Sequence, residues 1–109
     1  MRKIVISPQA NIDLTDIGGY IANELHNTHS ARALIGRIKK SVFALEDFPE
    51  MGTPLESKKS TAPYRYIICG NYMLFYHLDN ERVLIDRVLY GRRDYLGLLF
   101  GAELNDDFE

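Results

Sequence analysis

Two adjacent arginines near the end of the sequence are the side chains best suited to bind an anion. Arg92 and Arg93 follow an apolar run that ends at Tyr90, and they lie between Gly91 and Asp94. A guanidinium group stays charged at physiological pH and can donate two hydrogen bonds to one phosphate group. The pattern therefore predicts a strand that turns at Gly91 into a short helix and presents two guanidinium groups to a phosphodiester.

Other residues could supply the rest of the chemistry that RNA cleavage needs. The 2′-hydroxyl of RNA can act as the nucleophile, so a protein has only to orient it, stabilise the charged transition state and move protons. Arg65 is a further candidate for binding the phosphate, and Tyr66 can stack on an unpaired base. His77 and Tyr90 are candidates for proton transfer. The candidate catalytic residues are Arg65, His77, Tyr90, Arg92 and Arg93.

Each of these positions also has a structural interpretation. Arg93 and Asp94 can cap and brace the final helix, because charged side chains at such turns often stabilise structure only. His77 can be an ordinary histidine on the surface of a strand. Lys58 and Lys59 precede the sheet and can contact a polyanion, although a lysine pair in a loop is usually only solvated. The residue types leave both interpretations open.

Metal and thiol chemistry have less support in the sequence. His26 and His29 lie in a polar segment without a carboxylate or cysteine at ligand spacing, so we expect solvated loop histidines. Cys69 is the single cysteine and lies in an apolar strand, which predicts a buried, inert thiol. We therefore expect no metal and no cofactor.

Length and charge restrict the classes of protein that this chain can belong to. At 109 residues with 46% hydrophobic residues, the chain is large enough for one core, and we expect a single domain over residues 1–101. The net charge is −2, but the acidic tail, residues 102–109, holds four acids and no base. The rest of the chain is thus mildly basic at +2, and any contact with nucleic acid must rest on a local patch. No segment resembles a signal peptide or a membrane span, which predicts a cytoplasmic protein without a membrane partner.

The first half of the chain predicts a strand followed by two helices. A short strand at 2–7 ends at Pro8, and Ser7 can cap the helix that follows. Asp13 and Asp16 are expected to face water on this helix. A second helix is expected over residues 31–48, capped by Thr28 or Ser30. Its apolar stripe consists of Ala31, Leu34, Ile35, Ile38, Val42 and Leu45.

The second half predicts a three-stranded antiparallel meander. Apolar runs at 64–69, 72–78 and 83–90 are separated by Gly70-Asn71 and by the group at 79–81, which are typical hairpin turns. Alternation predicts a helix-covered face and a partly open face. The helix-covered face is expected to contain Ile67, Cys69, Leu74, Tyr76, Val83, Ile85, Arg87 and Leu89. The partly open face is expected to contain Tyr64, Tyr66, Met73, Phe75, His77, Leu84, Asp86, Val88 and Tyr90.

The predicted fold class is therefore α+β, in the order N-terminal strand, antiparallel helical hairpin, meander and short C-terminal helix. The loop after the second helix and the meander contain several short motifs: FPEMG at 48–52, YR at 64–65, GNY at 70–72, FY at 75–76 and RVLYGRRDY at 87–95. In these motifs and in the order of its elements the chain resembles the RelE/ParE superfamily of type II toxins, some members of which are called plasmid stabilisation proteins. The resemblance implies a RelE-like fold and covers nearly the whole chain.

The resemblance also implies a function and partners. It predicts a growth-inhibiting toxin that is neutralised by a cognate antitoxin and acts either as a ribosome-dependent mRNA interferase or as a gyrase inhibitor. The target would be the ribosome with its mRNA, or DNA gyrase. The expected target contacts are Lys58, Lys59, Tyr66 and Arg87, besides the catalytic candidates.

The sequence departs from the nuclease pattern of the superfamily. Met73 stands where RelE-like nucleases tend to have arginine after the hairpin tyrosine, Ile67 is apolar, and no obvious tyrosine follows late in the last helix. The ending Gly91-Arg92-Arg93-Asp94 is closer to that of ParE-like members. A non-catalytic gyrase-binding toxin or an inactive relative is therefore the alternative to a nuclease.

Overall fold

The computed structural model describes residues 2–24, 26–55 and 64–91. Within these residues the chain forms two α-helices, a π-helical turn at Tyr20–Glu24 and five strands. The helices are α1 (Pro8–Gly19) and α2 (Thr28–Ala44), and the strands are β1 (Lys3–Ile6), β2 (Thr53–Pro54), β3 (Arg65–Cys69), β4 (Tyr72–Asp79) and β5 (Arg82–Tyr90). The α+β class is confirmed. The expected C-terminal helix and the boundary of the acidic tail at residue 102 lie outside the described residues.

The strands form one mixed sheet in the order β1-β5-β4-β3-β2. The predicted meander is present, because β3 pairs antiparallel with β4 and β4 with β5. Gly70, with φ at +61°, occupies the first central position of the first hairpin turn, where a side chain would be strained. β1 pairs parallel with β5, whereas β2 pairs with only two residues of β3. No sequence pattern marks β2, since two residues that include a proline carry no strand periodicity.

Both helices begin at side-chain caps. The Ser7 hydroxyl accepts a hydrogen bond from the Ala10 amide, and Pro8 fills the first turn of α1, as predicted. The start of α2 differs from the prediction, because Asn27 and not Thr28 or Ser30 is the cap. The Asn27 side chain accepts a hydrogen bond from the Ser30 amide at 2.9 Å, so the helix starts at Thr28, a few residues before the predicted position. Its end at Ala44 is also earlier than predicted.

The core lies between the two helices and one face of the sheet. The predicted stripe of α2 is confirmed, since Ala31, Ile38, Val42 and Leu45 are buried in it and Leu34 and Ile35 pack against it. The sheet contributes Cys69, Leu74, Tyr76, Val83, Ile85 and Val88. The prediction that Asp13 faces water is wrong, because its residue is only 8% exposed.

A β-bulge in β5 changes which residues face the helices. Phe75 pairs with Arg87 and Tyr76 with Ile85, so Asp86 is an extra residue between them. Beyond the bulge the alternation is reversed, and Val88 joins the core while Leu89 pairs with Met73 on the other face. The predicted faces of Val88, Leu89 and Tyr90 are therefore wrong, because strict alternation assumes that no residue is inserted.

Candidate functional site

The face of the sheet opposite the helices carries a row of rings, which we call the aromatic face and define as Tyr64, Tyr66, Phe75 and His77. The rings of Tyr66 and Phe75 lie 6.3 Å apart between centroids. Those of Tyr64 and His77 lie 5.3 Å apart in an edge-to-face arrangement. Phe75 is fully buried, while the other three rings are partly exposed. The row is therefore well packed at Phe75 and presents the polar atoms of the tyrosines and the histidine at its edges.

The polar centre of the aromatic face is the pair His77–Asp86. Nδ1 of His77 lies 2.7 Å from Oδ2 of Asp86. Burial raises the pKa of Asp86 above its ordinary value, and the hydrogen bond and charge of His77 partly offset this effect. Because Asp86 engages Nδ1, it orients the ring so that Nε2 is the nitrogen able to exchange a proton with a ligand.

Arg65 is the first residue of β3, and its side chain holds the loop that contains Glu50 and Gly52. Its Nη1 donates to the carbonyl oxygen of Gly52 at 2.9 Å and to that of Glu50 at 3.2 Å. The Tyr76 hydroxyl fixes the same loop, since it donates to the carbonyl of Pro49 at 2.8 Å and accepts from the Gly52 amide at 2.9 Å. A Cβ at Gly52 would lie 2.6 Å from the Tyr76 hydroxyl, so only glycine fits there. Arg65 thus uses a guanidinium nitrogen to bind main-chain carbonyls within the fold.

Arg87 is bound to α1 and not to the aromatic face. Its Nε and Nη2 donate to the Asp13 carboxylate at 2.8 and 3.0 Å, and the same carboxylate accepts from the Val88 amide at 3.0 Å. The hydrogen bond that Arg87 donates to the Asp13 carboxylate raises the pKa of Arg87. Ser7 holds the bulge from its other side, because its hydroxyl donates to the Asp86 carbonyl at 2.9 Å. Asp13 and Ser7 together fix the bulge to the start of α1.

Tyr90 lies at the far end of the sheet. Its ring packs edge-to-face on Tyr72, with centroids 5.6 Å apart, on the side of the sheet that α1 covers. Both rings line a cleft of about 330 Å³ together with Asp13, Asp16, Ile17 and Tyr20. Tyr72 and His77 are five positions apart on β4, which corresponds to about 17 Å at a rise of about 3.4 Å per residue. Tyr90 and His77 therefore cannot act on the same phosphate group.

The remaining predicted site residues, Lys58, Lys59, Arg92 and Arg93, lie outside the described residues. Among the residues that are described, no group of three or more histidine, cysteine, aspartate or glutamate side chains could hold a metal ion. No helix in the described part of the chain is long and apolar enough to cross a membrane.

Sequence reasoning missed Asp13, Ser7 and Asp86 as the residues that organise this region. Asp13 had one usable signal, since it lies three residues after Ala10 and four before Ile17, both of which are buried on the same side of α1. Ser7 was recognised as a cap, but its second bond, to the bulge, depends on a contact 79 residues away. No local pattern marks the bulge at Asp86.

Two helices packed on one face of a mixed five-stranded sheet within the described residues define a small α+β domain, and solved structures share this fold. One match is the structure described as the chromosomal ParDE TA system from P. aeruginosa, with a TM-score of 0.66 and 17% identity over 83% of this chain and 96% of that chain. Another is the YoeB dimer from Staphylococcus aureus, with a TM-score of 0.54 and 20% identity over 82% of this chain and 95% of that one. Both likenesses show the shared fold.

The family follows from the sequence itself. Residues 4–95 match the family described as the ParE toxin of the type II toxin-antitoxin system parDE, and the chain belongs to this family. No curated protein matches the sequence significantly. The predicted membership of the RelE/ParE superfamily is confirmed, and membership of a type II toxin family implies an antitoxin as partner.

Proposed function

We propose that this toxin inhibits growth by binding DNA gyrase and that it is not itself a nuclease. The proposal rests on membership of the ParE family together with the ParE-like ending of the sequence at Gly91-Arg92-Arg93. A binding toxin needs a stable, complementary surface, whereas a nuclease needs several groups within reach of one phosphate.

The observation that carries the proposal is the separation of the candidate catalytic residues. His77 belongs to the aromatic face, Arg65 binds the loop carbonyls of Glu50 and Gly52, and Tyr90 packs on Tyr72 about 17 Å along the sheet. General acid–base catalysis requires the proton donor and acceptor within about 3 Å of the atoms that they serve. These three residues do not meet that condition at any common point.

The proposed contacts with gyrase are one aromatic residue, Tyr66, and two pairs of basic residues, one before β3 and one after β5. Tyr66 is half-buried, and its ring rests against Phe75, which makes it a rigid aromatic anchor of the kind that dominates protein interfaces. Lys58, Lys59, Arg92 and Arg93 are proposed as charged contacts at the rim of that interface. Arg87 is not among them, because its guanidinium is committed to Asp13.

Ribosome-dependent mRNA cleavage is the second candidate, and the His77–Asp86 pair favours it. A histidine oriented by a carboxylate is the usual form of a general acid–base catalyst. In that function His77 would move the proton, and Arg92 and Arg93 would bind the phosphate. Either target places the activity in the cytoplasm, with the antitoxin as the inhibitor of the toxin.

Induced expression with two parallel readouts tests the proposal. Plasmid topology and the integrity of ribosome-bound transcripts are measured after induction of the full chain. We expect plasmids to lose negative supercoiling while transcripts stay intact. Position-specific transcript cleavage with normal supercoiling would instead support the nuclease, and normal growth would identify an inactive relative.

A further inference from the structure

The cleft between α1 and the end of the sheet is walled by three tyrosines, and we call it the tyrosine cleft. Ile17 and Val88 are buried and form its floor, whereas Tyr20 and Tyr90 are 53% and 38% exposed. Its volume of about 330 Å³ is at the small end of the range of ligand pockets, which is about 300–1,000 Å³, and suits one long side chain. The lining residues are Asp13, Asp16, Ile17, Tyr20, Tyr72, Val88, Leu89 and Tyr90.

Regular secondary structure positions the walls of the tyrosine cleft. The first helix and the residue after it contribute positions 13, 16, 17 and 20, which is the spacing of one face of a helix. The sheet contributes Tyr72 of β4 and Tyr90 of β5, which pair directly across the two strands. Because each wall belongs to a helix or to paired strands, the shape of the cleft is set by the fold.

The three phenol groups of the tyrosine cleft lie near one another. Burial raises the pKa of Tyr72 above its ordinary value, and interaction with the phenols of Tyr90 and Tyr20 raises it further. Such an interaction requires the hydroxyl groups to be close in space. None of the three hydroxyl groups forms a hydrogen bond with another described residue. Among these residues, three phenol oxygens are thus available to accept hydrogen bonds from a ligand.

The charge of the tyrosine cleft favours a cation. Asp16 is exposed and forms no ion pair with another described residue, whereas the charge of Asp13 is balanced by Arg87. The described residues that line the cleft include no lysine, arginine or histidine. The faces of the tyrosine rings also attract positive charge, because each ring has a negative potential above its plane. An anionic ligand would be repelled here, and a cationic one attracted.

An arginine side chain matches the tyrosine cleft better than other cations. A guanidinium is planar and has five N–H donors, so it can stack on a tyrosine ring and donate to the Asp16 carboxylate and to phenol oxygens together. A lysine ammonium is a more strongly hydrated point charge that does not stack. A metal ion lacks ligands, since no group of three or more histidine, cysteine, aspartate or glutamate side chains in the described part of the chain could hold one.

We propose that the tyrosine cleft binds the arginine side chain of a partner protein, with the guanidinium stacked on the tyrosine rings and paired with Asp16. The aliphatic part of the arginine rests on Ile17 and Val88. Such an arginine acts as an anchor, because arginine and tyrosine are frequent centres of binding energy at protein interfaces. The tyrosine cleft is on the helix-covered side of the sheet, opposite the aromatic face, and the assignment does not depend on the target of the toxin.

Titration of the full chain with a short arginine peptide tests the proposal. The probe is a glycine-arginine-glycine peptide with blocked ends, and NMR follows the ring signals of Tyr20, Tyr72 and Tyr90. We expect saturable shifts of these signals, and we expect the peptide with lysine in place of arginine to bind at least about fivefold more weakly. Unchanged ring signals, or equal affinity for the two peptides, would overturn the proposal.

Charge variants distinguish a specific site from general attraction between charges. Asp16→Lys should weaken binding of the arginine peptide by about tenfold, because it replaces the paired carboxylate by a like charge. Asp47→Lys is the matched control, since Asp47 is also exposed but lines a different cleft, and it should change binding by less than about twofold. Both positions are exposed, so both variants should fold. Equal losses in the two variants would contradict the proposal.

A ring variant and the arginines of the chain itself complete the test. Tyr20→Leu removes one aromatic wall and should weaken binding by about threefold, whereas Tyr20→Phe keeps the ring and should lose less. Binding that appears only after Arg92 and Arg93 are both replaced by alanine would assign the cleft to an arginine of the same chain. That result would contradict the proposal.

Discussion

The bulge in β5 supports two ion pairs from consecutive residues, and the two pairs differ in nearly every property. Arg87 pairs with Asp13 of α1 through two hydrogen bonds, with side chains 17% and 9% exposed, and the same carboxylate accepts a third from the Val88 amide. Asp86 pairs with His77 on the aromatic face through a single contact between Oδ2 and Nδ1, with side chains 21% and 25% exposed. One pair ties the sheet to a helix, and the other lies where a ligand can approach.

The comparison shows what an inserted residue achieves in a strand. Without the bulge, Asp86 and Val88 would share one face, and the alternation would not bring Val88 to the core. With it, Val88 joins the core and Arg87 reaches Asp13, while Asp86 stays beside His77. We expect the Asp13 side to determine stability and the His77 side to be tolerant of change. One substitution in each pair tests that difference, and a third at the buried Tyr76 gives an effect of intermediate size for comparison.

The largest effect is expected from Asp13→Asn. The change removes the charge that Arg87 requires and weakens the acceptor of the Val88 amide, and we expect a loss of about 2–4 kcal/mol in the free energy of unfolding. Urea denaturation followed by circular dichroism measures it. Asp16→Asn is the control, because Asp16 is exposed on the same helix and should change stability by less than about 0.5 kcal/mol. Equal effects of the two substitutions would show that the buried pair has no special role.

An intermediate effect is expected from Tyr76→Phe. The substitution leaves the Gly52 amide and the Pro49 carbonyl without their partner, which should cost about 1–3 kcal/mol. Tyr20→Phe serves as control, because Tyr20 is 53% exposed.

The buried phenol of Tyr76 should also make the stability of the fold depend on pH. Burial raises its pKa above the ordinary value of 10.0, so the folded protein holds the phenolic proton more tightly than the unfolded chain. This contribution is fully present below pH 10 and is lost as the pH rises through the folded-state pKa. Urea denaturation between pH 8 and pH 11 should therefore show a shallower decline for Tyr76→Phe than for the unaltered chain. Parallel declines would contradict this role for Tyr76.

The smallest effect on stability is expected from His77→Gln. The pair with Asp86 is partly exposed, so its loss should cost less than about 1 kcal/mol. Growth inhibition should change by less than about threefold, since a binding toxin does not need the proton of His77. A loss of growth inhibition by about a hundredfold or more, with the fold intact, would indicate that His77 is a general acid–base catalyst. The His77–Asp86 pair would then be essential for function and not tolerant of change.

Much of the fold could be predicted from the sequence because its signals are local. The Ser7-Pro8 start of α1, the apolar stripe of α2 and the Gly70-Asn71 turn depend on neighbouring residues, and all three are confirmed. The start of α2 was misplaced because Asn27, Thr28 and Ser30 are all acceptable caps, and only the packing of the helix selects among them.

The site was less predictable because its arrangement depends on distant contacts. The bond between Arg87 and Asp13 joins residues 74 positions apart, and no periodicity could have revealed it. The same holds for the bulge, which moved Tyr90 to the helix side and thereby separated it from His77. The assignment of residues to faces failed only beyond the inserted residue.

The stoichiometry of gyrase inhibition tests the central claim most directly. Purified gyrase is held well above the dissociation constant of the complex and titrated with the full-length toxin, and supercoiling of relaxed plasmid is measured. A non-catalytic inhibitor predicts a linear loss of activity that ends at a fixed molar ratio of toxin to gyrase. Unchanged supercoiling at excess toxin, together with multiple turnovers of cleavage on ribosome-bound mRNA, would contradict the account.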